Sequence, residues 1–537
     1  MGSRLNAENW TSIRTPSAAA VLAIVAAVIM VPAYWNGVAV TDSGPYNEAW
    51  IHGMAVEMRK GWIYPRWLSS GFEGLGSPSF YFYPPLPFLF MGALKAAAGD
   101  WLSINSIVQI HGFLLLLASG LAMWVWARGF MDRGSALLAG IVYMIMPYHL
   151  FNHLMRGAIG EFASYAILPL LLVAMERIAR GASFGIPLFA VLYAMLILTH
   201  LPVTLLASVF VIPVYAVWLN GARSAALARY ASLALAGLLG IGLAAAYLVP
   251  ALSLQEHINA QYWWTNHSDI RRWMIWNIMT GQTVFLVLYA LYAVFGLALI
   301  LFWSQMPAGD PERRRNGFLI LWAWALMIAI TGIVPQIWTG VLAKVQFPWR
   351  LLVAVDLLMA VLIVLLSRYS RTGRRVILPN FAFNAVVFFV LCLSILRPGE
   401  EYKPFEPPEY RAAGYTLEAA HPTGPEISPQ DAGSVATRWE GEQMIISVSA
   451  TVPARVTVPL NSFPAWVVTD AGGRQVPARA ETPARLLSFD VPRGEVQFVA
   501  RRIMLPEERL GWWVSSIAAL LVVAGTLFRR RTILSRP

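Results

Sequence analysis

Ser17-Ala-Ala-Ala-Val-Leu-Ala-Ile-Val-Ala-Ala-Val-Ile-Met-Val-Pro-Ala-Tyr-Trp-Asn-Gly-Val38 carries no charge over its whole length. A helix of ~20 apolar residues crosses the hydrocarbon core of a bilayer, so this run reads as a membrane span. No small-residue cleavage site follows it, which favours a retained helix over a signal peptide. Similar runs recur at Ser103–Ala127, Tyr230–Pro250, Val284–Trp303 and Leu351–Ser367. The rest of the composition agrees. Only 13% of the residues are charged and 58% are hydrophobic, whereas a soluble chain carries roughly 25% charged residues to cover its surface. A soluble enzyme is excluded. The single cysteine, Cys392, excludes disulfides and thiolate metal sites within the chain.

The net charge of +11 does not point to nucleic acid, because the basic residues gather in short turns. These turns hold Arg4/Arg14, Arg128/Arg133, Arg177/Arg180, Arg223/Arg229, Arg313–Arg315, Arg368–Arg375 and Arg529–Arg531. Such turns are expected on the cytoplasmic side. Spans are then expected near 17–39, 103–127, 134–152, 161–177, 184–200, 203–220, 230–250, 282–303, 317–333, 350–367, 376–396 and 510–528, about twelve in all, with both termini inside. Pro84–Ala98 is apolar but short and opens on Pro84, Pro85 and Pro87. If it crossed, every later basic turn would change sides, so it is expected to lie in the outer interface.

The expected fold is an all-α polytopic membrane protein with a small extracytoplasmic β-sandwich near the C-terminus. Its parts are a transmembrane domain over 1–397 with a long outer loop at 39–83, the β-sandwich over 398–509, and a final helix with a basic tail over 510–537. The segment 398–509 holds 15 of the 29 acidic residues. Alternating β-formers fill Met444–Ala450, Arg455–Leu460, Ala465–Thr469, Leu486–Val491 and Val496–Ile503, and Asp470-Ala-Gly-Gly473 is a turn.

Asp356 is the clearest acid well inside a span; Glu176 sits at a cytoplasmic helix end. Polar residues concentrate instead at the expected outer ends: Asp42, His52, His149, His153, Arg156, Glu161, His200, Glu256, His267, Arg271, Arg272, Lys344 and Arg350. That pattern suits a site at the membrane surface better than a relay through its middle. In the first outer loop, residues 48–60 read as an amphipathic helix. Glu48, His52 and Arg59 share one face, and Trp50, Ile51, Met54 and Met58 the other. Asp42 follows the first span directly, where an ordinary solvated acid is the plain reading.

Asp42, Tyr64-Pro-Arg-Trp67, Gly74-Leu-Gly76 and Tyr83-Pro-Pro-Leu-Pro87 together resemble the GT-C superfamily of membrane glycosyltransferases. More closely they resemble bacterial membrane proteins labelled 6-pyruvoyl-tetrahydropterin-synthase-related. Arg156-Gly-Ala-Ile-Gly-Glu161, with Pro169-Leu170, and Gln346-Phe-Pro-Trp-Arg350 fit the same family, and Phe463-Pro-Ala-Trp466 with Pro492-Arg-Gly-Glu495 resembles the β-domain of YfhO-like proteins, where Gly usually stands at the place of Ala465.

The resemblance implies sugar transfer from a polyprenyl-phosphate lipid donor to a glycan, lipid or protein acceptor, on the extracytoplasmic face of a bacterial inner membrane. It implies a catalytic role for Asp42, with His52 and Glu161 as further catalytic candidates. An acceptor hydroxyl has a high pKa and needs a nearby carboxylate as it attacks. A departing lipid phosphate is best stabilised by cations in a partly dry site. Arg156, Lys344, Arg350 and Arg271 are the candidates for that clamp, with Tyr83, His149, His153 and His200 lining the substrate pocket. His149 and His153 have the i, i+4 spacing of a metal pair that Glu161 or Asp42 would complete. Hydrogen-bonded neutral histidines are commoner at such positions, so no metal and no cofactor are expected. Trp263-Trp264-Thr-Asn-His267 is similar to the oligosaccharyltransferase Trp-Trp-Asp signature but lacks its Asp; it reads as an aromatic belt. No nucleotide-binding, HExxH, DxD or nucleophile-elbow motif is present. The rival readings are a lipid-linked-glycan transporter and a non-catalytic scaffold for envelope polysaccharide assembly.

Overall fold

The computed structural model describes residues 16–36, 41–182, 184–221, 226–263, 269–274, 283–368, 371–394, 407–414, 424–480 and 484–534. His267, most of the Trp263–His267 belt, the residues 39–40 that open the outer loop, and the beginning of 398–509 fall outside them.

Each expected span falls on a helix or on a broken pair of helices. By length and apolarity, six of the described helices can cross a membrane: Ile104–Ala127, Ile159–Ala179, Leu201–Asn220, Phe285–Ser304, Pro348–Ser367 and Pro506–Leu527. Two bent pairs bring the number to eight: Arg133–Met144 with Pro147–Leu154, at 42°, and Leu227–Leu243 with Ala245–Ser253, at 72°. This is a multi-pass membrane protein; six to eight of the described helices pass this test, which does not confirm the expected count of about twelve spans. The physical reason is local. Sequence windows treat an apolar run as a straight rod, whereas the Gly185–Thr199 helix has only 15 residues. Pro311–Thr331 opens on Glu312 and three arginines. The Leu352–Ser367 helix forms the buried axis of the bundle, every residue of it inaccessible, and all-round apolarity fits that position.

The first outer loop is structured. Its helix Gly44–Arg59 begins earlier than expected, with Pro45 in the first turn. It buries Trp50, Ile51 and Met54 against the Leu86–Ala98 helix, whose Gly92 leaves room for Met54. That second helix has 13 residues, too few to span.

Among the described residues, nine strands form two antiparallel sheets: β1 (Glu426–Ser428), β2 (Gly433–Glu440), β3 (Gln443–Ala450), β4 (Ala454–Asn461), β5 (Trp466–Asp470), β6 (Gln475–Val476), β7 (Ala478–Arg479), β8 (Leu486–Val491) and β9 (Gly494–Arg502). Their orders are β1-β4-β8-β7 and β2-β3-β9-β5-β6. Alternation in β3 turns Met444, Ile446, Val448 and Ala450 inward. Phe489 of one sheet meets Phe498 of the other edge-on at 5.1 Å. The sheets do not stand apart from the loop. Trp67 packs on Trp466 at 5.6 Å and Tyr81 on Phe463 at 4.8 Å, so loop and sheets share one apolar core.

Candidate active site

The site is built at one end of the bundle by a kink. The chain bends before Pro147, runs through the short helix Pro147–Leu154, and reverses at Gly157, whose φ is +62°. That left-handed conformation suits glycine. The next helix starts at Ile159 and carries Glu161 in its first turn, where the positive end of the helix dipole favours a carboxylate. Gly160 is needed for a different reason: a side chain there would come within 2.6 Å of the Thr199 carbonyl. This contact seats the helix against His200, whose Nδ1 accepts the Val203 N–H at the break between two helices.

Glu161 is fully buried and surrounded by donors. Arg156 Nη1 lies 2.8 Å from its Oε2, and Arg350 Nε lies 3.4 Å from the same oxygen. The Tyr148 hydroxyl donates to Oε1 at 2.6 Å. Arg156 Nη1 also donates to Asn152 Oδ1 at 2.6 Å and the Tyr148 hydroxyl at 3.0 Å. Arg350 arrives from the 3-10 turn Pro348–Leu351 and donates through Nη1 to the Val345 carbonyl at 2.6 Å. Its Nε makes no hydrogen bond. The Phe347 ring lies beneath both guanidinium groups, 4.8 Å from Arg350 and 6.0 Å from Arg156. Two buried cations thus share one buried carboxylate.

Asp42 is held beside this cluster by backbone contacts. The Ser43 N–H donates to the Arg156 carbonyl at 3.0 Å, and the Asn47 amide to the Gly157 carbonyl at 2.8 Å. The Asp42 side chain is exposed, and its charge acts on Arg156 and on Tyr46. Burial pushes the Tyr46 phenol above its usual range, and the carboxylates of Glu409 and Asp42 push it further. Glu409 is itself held above the usual carboxylate range by burial. Tyr83 closes the group from the outer loop, with its ring 4.4 Å from Trp50. Burial raises its phenol, which feels Arg350, Glu161 and Arg156.

The structure therefore brings together Asp42, Arg156, Glu161, Arg350, Tyr83 and His200. His149 and His153 lie deeper. His149 Nδ1 is 2.9 Å from the Tyr143 carbonyl, and its ring stacks on Tyr165 at 3.7 Å. His153 Nε2 is 3.2 Å from Gln109 Oε1. Among the described residues, no three His, Cys, Asp or Glu side chains are grouped to hold a metal.

Three candidates stand elsewhere. His52 is exposed and feels Arg59 and Lys95. Arg271 is exposed and clasps Asp269 through Nε at 3.1 Å and Nη2 at 2.7 Å. Lys344 is exposed, on the 3-10 turn Gly340–Val345 before Arg350.

Asp356 accepts from the hydroxyls of Tyr165, at 2.7 Å, and Tyr292. Tyr292 in turn accepts the Tyr148 N–H at 3.1 Å. Tyr148 thus connects the buried Asp356 to Glu161. Sequence reasoning missed Tyr148, Asn152 and Glu409. The first two lie within the same short helix as His149 and His153, a signal that was there to read. Glu409 has none, since only the tertiary fold carries it to Tyr46.

No family model matches this sequence, and no curated protein matches it. Among solved structures, the chain is similar to the cryo-EM structure of arabinofuranosyltransferase AftD from Mycobacteria. The identity is 17% and the TM-score 0.39, over 70% of this chain and 26% of that one. This chain thus spans about a quarter of the length of AftD.

Proposed function

We propose that the protein is a GT-C-type glycosyltransferase of the bacterial inner membrane. It moves a sugar from a polyprenyl-phosphate donor to an extracytoplasmic acceptor. The observation that carries this reading is the exposed Asp42 carboxylate anchored beside Arg156 and Arg350, two cations that share a single buried carboxylate.

In this reading Asp42 takes the proton of the acceptor hydroxyl as its oxygen bonds the anomeric carbon. The bond between that carbon and the phosphate oxygen breaks, and the charge left on the lipid phosphate is stabilised by Arg350 and Arg156. Both are held in place before the donor arrives, so little reorganisation is needed when charge develops. Glu161 and Tyr148 position Arg156 and do not touch the reacting atoms. Tyr83 and Trp50 cover the site and limit water. The segment 398–509 serves as an extracytoplasmic domain that receives the acceptor.

The test is transfer of labelled sugar from polyprenyl phosphate in membranes that carry wild-type protein or Asp42→Asn at matched expression. Loss of transfer in the variant supports the reading. Equal transfer by both would favour a transporter or a scaffold.

A further inference from the structure

A cavity of about 360 Å³ lies at the end of the Ile159–Ala179 helix away from Glu161. Glu176, in its wall, is fifteen residues beyond Glu161, roughly 22 Å along the helix axis. The cavity opens among the arginine-rich turns, and Trp126, Phe130 and Trp218 supply its apolar walls. Arg180, Arg315 and Glu176 are its charged residues.

Glu176 is fully engaged. Its Oε1 accepts from Trp126 Nε1 at 3.1 Å and from the Tyr215 hydroxyl at 2.7 Å, while Arg180 Nη2 holds its Oε2 at 2.9 Å. Arg315 lies over the Phe130 ring at 5.2 Å. Its Nη2 is 3.2 Å from Glu312 Oε1, and its Nε makes no hydrogen bond. Glu176 thus balances Arg180 and Glu312 stands against Arg315, which leaves the buried Arg315 Nε–H as a donor without an acceptor in the cavity wall.

We infer that this cavity binds the phosphate headgroup of one anionic glycerophospholipid. The unused Arg315 donor suits a phosphodiester oxygen, and a basic pocket between membrane helices is a suitable headgroup site. The aromatic walls disfavour a free, fully hydrated anion. They suit the first carbons below a headgroup, at the depth where tryptophans collect in membrane proteins. The cavity is too small for a whole lipid, so the acyl chains run outward past the exposed Val217 and Leu321. The site is independent of the sugar-transfer reading.

The experiment is native mass spectrometry of the full chain, released from nanodiscs of phosphatidylglycerol and phosphatidylcholine in equal amounts. Wild-type protein should retain phosphatidylglycerol in preference to phosphatidylcholine, and millimolar inorganic phosphate should not displace it. Arg315→Gln should reduce retention about fivefold, the effect of ~1 kcal/mol for one basic residue at a membrane surface. Arg313→Gln is the control. It lies in the same turn but packs on Trp303 at 5.1 Å, outside the cavity, and should behave as wild type. Equal losses in both variants would mean diffuse surface attraction and would overturn the site. So would displacement by inorganic phosphate, or no preference between the two lipids. Unfolding midpoints measured for each variant separate loss of lipid from loss of fold.

Discussion

Arg66 Nε lies 3.0 Å from Glu508 Oε1, a nearly buried ion pair that fastens the first outer loop to the root of the last helix. Arg66 Nη2 also donates to the Ala246 carbonyl at 2.7 Å. Glu508 Oε2 accepts from the Tyr81 hydroxyl at 3.2 Å and the Leu505 N–H at 2.9 Å. Removing one partner of such a pair leaves an uncompensated buried charge and costs about 3–5 kcal/mol. Glu508→Gln should therefore lower the thermal midpoint in detergent. The double variant Arg66→Met/Glu508→Leu should recover much of that loss, because no lone charge remains. A double variant no more stable than Glu508→Gln would show that the pair's remaining contacts matter more than its charge balance.

Asp42→Asn keeps the shape of the side chain and removes the base. Turnover should fall by roughly 10²–10⁴-fold, with little change in unfolding temperature, because the side chain is exposed. Glu440→Gln, on an exposed strand end, should leave turnover nearly intact. Comparable losses in the two would place the site in the sheets instead.

Arg350 tests the phosphate clamp. A lost charge-assisted contact is worth ~1.5–3 kcal/mol, so Arg350→Ala should weaken donor use by roughly ten- to a hundredfold. Arg350→Lys should restore only part of this, since the planar fork over Phe347 is gone. The measurement is the donor concentration that half-saturates transfer. An unchanged value in Arg350→Lys would reduce the role of Arg350 to a point charge.

His52 makes stability depend on pH. The ring is accessible at its edge but half surrounded by protein, and this partial desolvation, with the nearby charges of Arg59 and Lys95, holds its imidazole below the usual range. The unfolded chain takes up this proton near pH 6.5, before the folded protein does. The stabilising contribution is thus complete above that pH and is lost as the pH falls below it toward the folded-state value. His52→Gln should be less destabilised than wild type between pH 7.5 and pH 5, read as unfolding midpoints. Parallel curves would assign the acid sensitivity to other groups.

Elements governed by local pattern were legible in the sequence. The buried Leu352–Ser367 helix follows from an apolar run broken only by Asp356, and β3, β4, β5, β8 and β9 follow from alternation. The strand β2 was not read, because both its faces are largely exposed and no alternation marks it. Neither bend in the helix pairs was read, since an apolar run looks the same straight or broken. At the site, Arg156, Glu161 and Arg350 stood out because charged residues at the ends of apolar runs are rare. The sharing of the Glu161 carboxylate by the two arginines was invisible, as was the arrival of Glu409 near Tyr46, because both depend on elements distant in sequence. Arg271 looked equivalent to Arg350 on paper. Burial separates them: Arg350 is enclosed beside Glu161, whereas Arg271 is exposed and clasps Asp269.

The shared core of loop and sheets sets a schedule for synthesis. Tyr81 and Glu508, which hydrogen-bond in the finished protein, are 427 residues apart. At the ordinary pace of 5–20 residues per second, the ribosome needs roughly 20–90 s to make the intervening chain. For most of that interval Trp67 and Tyr81 lack the Trp466 and Phe463 rings that finally cover them. The early loop emerges with an uncovered aromatic surface, a natural target for chaperones and proteases. Truncation before the sheets would leave that surface bare for good, so a shortened chain should be cleared by quality control even if its membrane helices insert normally.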